Sequence, residues 1–435
     1  MNNDVGELLT INIGEIANSC AKEMWKKLQK DYAIDNEAKR INNGRFTSNF
    51  QTMFSLNKEN QFVPRSIFVH LLNSDPFLFR SNFEPLSYVH KNFNYLIKID
   101  EGELSLTCPS DNFENLNDSI YYQYENIIRK QIEKSNLFQG SLILNSSKED
   151  KSYVPIMITY NILKSFKSKT LNISIPLSFS NTKEISFSQC QSDFFNITSM
   201  IKNANMIFPI DFKSISNKLE YRTFEKAMQN MNEIISSVAD VILLLSSPLR
   251  NEYLPEITMS SLISYLVRNP LNKFVNSNMF PFYSNKGANN LAFEKNIAKE
   301  LINGQGICGY PLTNQFSSSN LLIANYPISN DFQRFLNNTI LKWNSSFTRK
   351  ISYDKIHMIM NRCNYPFNFF QKVLFCSNSA SILPYLKSIS KDYFDLASFI
   401  PAISSHEYSR FLNGINKDPK EIIDCTMQAY LNTFN

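Results

Sequence analysis

Glycine is scarce in this sequence, with only 10 glycines among 435 residues. Phosphate-binding loops depend on glycine because their backbone N–H groups must come close to the anion. The chain contains neither a P-loop nor a G-x-S-x-G motif. These absences argue against Walker ATPases and α/β-hydrolases.

Histidine and cysteine do not occur in metal-binding patterns. None of the four histidines stands in an H-E-x-x-H or H-x-x-E-H arrangement, and the seven cysteines include no C-x-x-C. Seven is also an odd number, which a complete set of disulfides within one chain does not allow. We therefore expect no metal site, and we expect reduced thiols in a cytoplasmic protein.

Long apolar runs and blocks of like charge are also missing. No apolar run approaches the roughly 18 residues that a membrane span needs, and the first residues lack a basic segment followed by an apolar one. The net charge of +5 is spread along the chain. We expect a cytoplasmic protein of two or three domains that binds neither membrane nor nucleic acid.

The first half of the chain alternates between strand-like and helix-like segments. The alternation predicts a parallel sheet with helices on both faces, as in α/β proteins. The predicted strands cover residues 8–14, 65–72, 142–144, 171–177 and 207–211, and the predicted helices cover residues 17–32, 119–134 and 155–163.

One strand–loop–helix unit stands at the centre of this half, in residues 138–166. An apolar run is followed by polar residues 145–152 and by a helix that Pro155 opens in its first turn. In doubly wound domains this loop faces a helix amino terminus and binds phosphate. This loop has no glycine and carries Glu149 and Asp150. By themselves, these residues favour a loop that never bound a nucleotide.

The second half contains the most regular helical pattern of the sequence, in residues 223–245. Apolar residues recur there at i, i+3, i+4 and i+7, with Thr223 as the candidate N-cap. We predict one continuous helix about 35 Å long. Mixed strands and short helices follow to about residue 375, and helices over residues 382–400 and 419–434 end the pattern.

Several segments, in order along the chain, resemble tubulin. Residues 62–71 resemble the family's V-P-R-A-I-F-V-D-L strand, and residues 9–18 resemble its I-H-I-G-Q-A-G-N segment. Residues 138–140 resemble its L-Q-G, residues 234–237 its I-V-S-S, and residues 376–382 its L-S-N-T-T-A-I. Each match is short, but their order and spacing agree with the family.

The resemblance implies a tubulin-like α/β fold in three parts. These are a doubly wound, parallel-sheet nucleotide-type domain (residues 1–222), a long core helix with an α+β intermediate domain (223–382), and C-terminal helices (383–435). It also implies a structural cytoskeletal protein of the cytoplasm. The expected partners are tubulin subunits or a microtubule-associated complex.

Carried over residue by residue, the family's nucleotide site is degenerate. Glu15 replaces a Gln, His70 replaces the acid of the D-L-E loop, and the glycine-rich phosphate loop falls on residues 148–154. The residues at the positions of the nucleotide site are Gly14, Glu15, His70, Ser105, Lys148, Glu149, Asp150, Ser152, Asp211, Phe212, Phe224 and Met228. The resemblance therefore implies a pseudo-GTPase with no bound nucleotide, its vacant site filled by Tyr153, Phe212, Phe224 and Met228.

Catalysis in this family uses an acid that one subunit presents to the nucleotide of the next. The corresponding region, residues 248–262, lacks the G-x-L-N-x-D-L motif, and the acid position falls on Ser261, or on Glu256 in a shifted alignment. We therefore expect no GTPase activity. Two alternatives stay open: a polymerising tubulin that holds GTP or GDP in an altered site, and a non-polymerising relative such as the misato group.

Overall fold

The computed structural model groups the chain into two compact units. Unit 1 contains Met1–Gly44, Phe50–Ile207 and Leu386–Met427, and unit 2 contains Arg45–Asn49, Phe208–Tyr385 and Gln428–Asn435. The structure describes residues 6–35, 37–39, 50–71, 96–99, 118–150, 152–166, 170–179, 186–250, 257–280, 306–310, 317–324, 334, 357–360, 372–397 and 418–434.

Unit 1 contains the strands and helices of the first half of the chain. Its strands are β1 Glu7–Ile13, β2 Phe54–Leu56, β3 Phe62–Pro64, β4 Ser66–Leu71, β5 Leu96–Ile99, β6 Phe138–Ser146, β7 Leu171–Ser178 and β8 Met206–Ile207. Its helices are α1 Glu15–Asp31, α2 Asp118–Glu133, α3 Tyr153–Ser165 and α4 Phe187–Asn203. The predicted strands and helices of this half are thus confirmed up to β7.

Six parallel strands form the main sheet, in the order β5-β4-β1-β6-β7-β8. Counted along the chain, this order is 3-2-1-4-5-6, that of the doubly wound nucleotide-binding fold. All seven residues of β1 are buried, so both faces of the sheet are covered at its centre. The predicted α/β class with a parallel sheet is confirmed.

Aromatic packing joins the last part of unit 1 to α4. Tyr393 stacks on Phe194 with a ring-centroid distance of 4.4 Å, and it also contacts Phe187 at 5.9 Å. The ammonium of Lys420 lies 5.2 Å from the centre of the Phe394 ring. Within unit 1, this aromatic cluster therefore connects Tyr393 and Phe394 with α4.

Unit 2 contains a mixed sheet and the most apolar helix. The described strands of unit 2 are β9 Ile210–Asp211, β10 Asn276–Phe280, β11 Ser317–Ala324, β12 His357–Met360 and β13 Val373–Ser379, of which β10 to β13 form the mixed sheet. Its described helices are α5 Phe212–Lys218, α6 Phe224–Gln229, α7 Met231–Ser246 and α8 Met259–Leu266. Among the described strands the sheet order is β10-β13-β11-β12; β11 pairs in parallel with β12, whereas β10–β13 and β11–β13 are antiparallel. Helix α7 packs against α5, β11 and β13.

Two more helices follow, α9 Leu383–Ala397 and α10 Pro419–Phe434. Helix α10 begins and ends where the sequence predicted. Helix α9 begins after a 3₁₀ turn over Ala380–Ile382, and residues 398–400 of its predicted range lie outside the described residues.

Two segments that the sequence predicted as single elements are each divided into two in the structure. Residues 207–211 form two short strands, since Pro209 lies between them and has no N–H for a ladder. The predicted 35 Å helix is two helices, because Asn230 adopts φ −111° and ψ 25° and its side-chain amide donates to Lys226 O at 2.9 Å. Thr223 does cap α6, accepting from Lys226 N at 3.3 Å.

The segment Met231–Arg250 is long and apolar enough to cross a membrane. In the folded chain, however, 78% of its most apolar window is buried. Such burial is typical of a core helix, whose apolar side chains face protein on all sides.

Candidate functional site

The sheet of unit 1 has a switch point between β1 and β6, where the strand order reverses. In doubly wound folds ligands bind at the carboxyl ends of the strands at this place. Gly14 follows β1 with φ 89°, and a Cβ there would lie 2.4 Å from Glu149 Oε2 and 2.7 Å from Ser146 Oγ. Only glycine lets the two loops approach so closely.

The first turn of α1 is capped by side chains from β6 and the loop that follows it. Glu15 N donates to Glu149 Oε2 at 2.9 Å, and Ala17 N donates to Ser146 Oγ at 3.0 Å. Gly14, the N-cap residue, has no side chain with which to make these bonds. Glu149 therefore places a carboxylate at the helix end where the dipole favours negative charge.

On its other side, the loop that follows β6 is hydrogen-bonded to α4 through Ser147, Asp150 and Ser152. Asn196, which is fully buried, donates from Nδ2 to Ser147 O at 2.9 Å and to Ser152 Oγ at 2.8 Å. Ser188 Oγ donates to the carboxylate of Asp150. The loop is thus held between α1 and α4 by its own polar groups.

Glu15 turns its carboxylate towards β4. His70 Nδ1 lies 2.6 Å from Glu15 Oε1, and both side chains are mostly buried. Burial lowers the pKa of Lys22 to about 8, although the carboxylate of Glu15 acts in the opposite direction. His70 and Glu15, two residues that the resemblance assigns to the nucleotide site, are therefore in direct contact with each other.

Asp211 and Phe212, which the resemblance places at positions of the degenerate nucleotide site, have structural roles in unit 2. Asp211 caps α5, accepting from Ser214 N at 3.0 Å and from Ser214 Oγ at 2.7 Å. Phe212 is the first residue of α5 and only 1% exposed. The Asp211 carboxylate is thereby committed to the helix end.

The four side chains expected to fill the site lie in both units. In unit 1, Tyr153 is buried and packs edge-on against Phe195 with a centroid distance of 5.1 Å. In unit 2, Phe212 is buried, whereas Phe224 and Met228 lie half-buried on α6. Their filling of one site stays a prediction. At the first turn of α1 the occupant is a carboxylate, not an aromatic ring.

Ser261, at the predicted position of the catalytic acid, is part of a capping box. Ser261 N donates to Thr258 Oγ1 at 3.2 Å, and Thr258 N donates to Ser261 Oγ at 2.8 Å. Its hydroxyl thus stabilises the start of α8. Glu256 and Ser105 lie outside the described residues.

No group of three or more His, Cys, Asp or Glu side chains among the described residues suits a metal ion. The five described cysteines are all free thiols, and only Cys425 is exposed. Burial raises the pKa of the Cys190 and Cys308 thiols to about 12. Such thiols carry no thiolate at neutral pH and are poor nucleophiles.

The sequence carries a G-x-G-x-x-G pattern in residues 304–309, of which the structure describes residues 306–309. Gly306 N donates to Tyr310 O at 2.7 Å, and a Cβ at Gly306 would lie 2.2 Å from Asn276 Oδ1. A dinucleotide fingerprint opens a helix, but residues 306–310 are not helical. The absence of a side chain at Gly306 therefore allows this turn to pack closely against Asn276 of β10.

The structure brings together four of the predicted site residues in unit 1: Gly14, Glu15, His70 and Glu149. Ser146 and Asn196, whose hydrogen bonds shape the site, were not predicted from the sequence. The position of Ser146, a polar residue at the end of an apolar strand, could have indicated a site residue. Its partner, the N–H of Ala17, could not be identified from the sequence.

The chain matches no protein-family model, and a search of curated proteins finds no match for it.

Proposed function

We propose that this chain is a divergent, tubulin-like structural protein of the cytoskeleton that has lost GTP binding and hydrolysis. The six parallel strands in the order 3-2-1-4-5-6 support a nucleotide-type domain. The tubulin-like segments of the sequence lead from this general fold to the family.

The loss of the GTPase rests on one observation, the contact of Glu149 with the first turn of α1. A phosphate entering there would have to displace the Glu149 carboxylate from Glu15 N, and the loop offers no glycine cradle in return. Each missing phosphate or base contact costs about 1–3 kcal/mol. Micromolar binding corresponds to only about 8 kcal/mol, so the losses together remove useful affinity.

The other degenerate positions support the same proposal. Asp211 and Ser261 stand where the family reads the base and presents its catalytic acid, and each is used to cap a helix. A capping side chain loses its hydrogen bonds to the helix when it turns towards a ligand. This loss would make nucleotide binding less favourable by about 1 kcal/mol.

Equilibrium dialysis with labelled GTP tests the loss of nucleotide binding. We expect no saturable binding by the chain, with conventional tubulin as the positive control. A dissociation constant below about 1 µM would overturn the pseudo-GTPase proposal in favour of a tubulin that keeps GTP.

The proposed partners are tubulin subunits or a microtubule-associated complex in the cytoplasm. Co-sedimentation with assembled microtubules tests this part separately, and we expect the chain in the pellet. A chain that stays in the supernatant at every tubulin concentration would favour a non-polymerising relative.

A further inference from the structure

We infer that Glu149 is an intramolecular latch that closes the switch point of unit 1 and holds it in one ligand-independent state. The inference rests on the proposed function, since it explains how a nucleotide-type domain keeps its folded site without a nucleotide. It assigns the closing contact to one side chain.

The contact joins the two loops that flank the switch point. Glu149 lies in the loop between β6 and α3, and its Oε2 accepts from Glu15 N just after β1. In a nucleotide-binding domain the same two loops are joined through the ligand. Here a side chain of the domain makes the connection.

The cap cannot come from α1 itself. Gly14 has no side chain, and the carboxylate of Glu15 is directed to His70. Ser146 satisfies only Ala17 N. The N–H of Glu15 therefore depends on Glu149, and the negative charge of Glu149 meets the positive end of a 17-residue helix.

Loss of Glu149 would leave the rest of the loop in place. The bonds of Asn196 to Ser147 O and Ser152 Oγ, and the bond of Ser188 to Asp150, do not involve Glu149. A substitution at Glu149 therefore opens the first turn of α1 while the loop stays attached to α4. This separation makes the latch testable in the folded chain.

The test compares amide hydrogen exchange in the wild type and in Glu149→Ala, Glu149→Gln and Asp150→Ala. We expect exchange of the Glu15 amide to accelerate on the order of tenfold in Glu149→Ala, because one hydrogen bond and one charge leave the helix end. Glu149→Gln keeps the size and one acceptor, so its effect should be smaller. Asp150→Ala is the matched control, because its carboxylate bonds Ser188 of α4 and not α1.

The Ala17 amide gives an internal reference, since Ser146 holds it in every variant. Unchanged exchange of the Glu15 amide in both Glu149 variants would overturn the latch, and so would an equal acceleration in Asp150→Ala. These outcomes would leave the proposed function standing, because it concerns GTP. Slower exchange of the Glu15 amide in the wild type after GTP addition would instead count against the proposed function.

Discussion

A buried ion pair at the amino-terminal edge of the main sheet should contribute strongly to the stability of unit 1. The guanidinium of Arg65 pairs with the carboxylate of Glu7, and the two side chains are only 7% and 6% exposed. Arg65 also donates from Nε to Gln51 O and from Nη1 to Ser135 Oγ, each at 3.2 Å. One side chain therefore links β1 with the segments before β2 and β6.

The change Arg65→Met keeps an unbranched apolar stem of similar length and removes these bonds. The Glu7 carboxylate then stays buried without its counter-ion, and breaking a buried pair in this way costs about 3–5 kcal/mol. In the double variant Glu7→Gln/Arg65→Met no unpaired charge remains. We expect the double variant to be about 2–3 kcal/mol more stable than the sum of the two single losses predicts.

Native-state amide exchange of β1 measures the free energy of unfolding of unit 1 directly. Arg129→Met is the matched control, because Arg129 forms an exposed pair with Glu133 at 3.2 Å that is worth well under about 1 kcal/mol. A loss below about 1 kcal/mol in Arg65→Met, or additive effects of the two substitutions, would refute the reasoning.

Three further predictions concern single side chains. Tyr393→Ala should lower the free energy of unfolding by about 3–5 kcal/mol in urea titrations, because the ring is 1% exposed and stacks on Phe194. Asn230→Ala should join α6 and α7 and raise stability by about 0.5 kcal/mol, with more helix in far-UV circular dichroism. Lys22→Met should stabilise the protein most at neutral pH. Because burial lowers the folded pKa of Lys22 from 10.5 to about 8, the penalty for charging it is full below pH 8 and relieved as pH rises towards 10.5.

For each of these three substitutions, a second substitution in the same chain serves as the control. Tyr122→Ala removes a ring that is 57% exposed and should have little effect. Asn230→Gly should destabilise where Asn230→Ala stabilises, and equal effects would contradict the helix argument. Lys26→Met, at an exposed position of the same helix, should show no such pH trend. A stability difference between Lys22→Met and wild type that widens above pH 8 would contradict the expected direction of the pH dependence.

The sequence by itself determined the periodic elements of the fold. Helix α10 and the parallel strands β1, β4, β6 and β7 follow from the spacing of apolar residues, which is set by neighbours a few positions away. The scarcity of glycine also excluded a glycine-built phosphate cradle after β6, since that property depends on local backbone freedom.

Only the tertiary structure decided what the polar side chains do. Glu149 meets Glu15 N across 134 positions of the chain, and Asn196 reaches Ser147 O across 49, so no local pattern could pair them. The same holds for Asn230, whose dihedral angles interrupt a helix that the apolar spacing continues. Apolar burial is repeated along an element and can be read from its period. A hydrogen bond between two loops depends on where folding brings single atoms, and this position exists only in the folded chain.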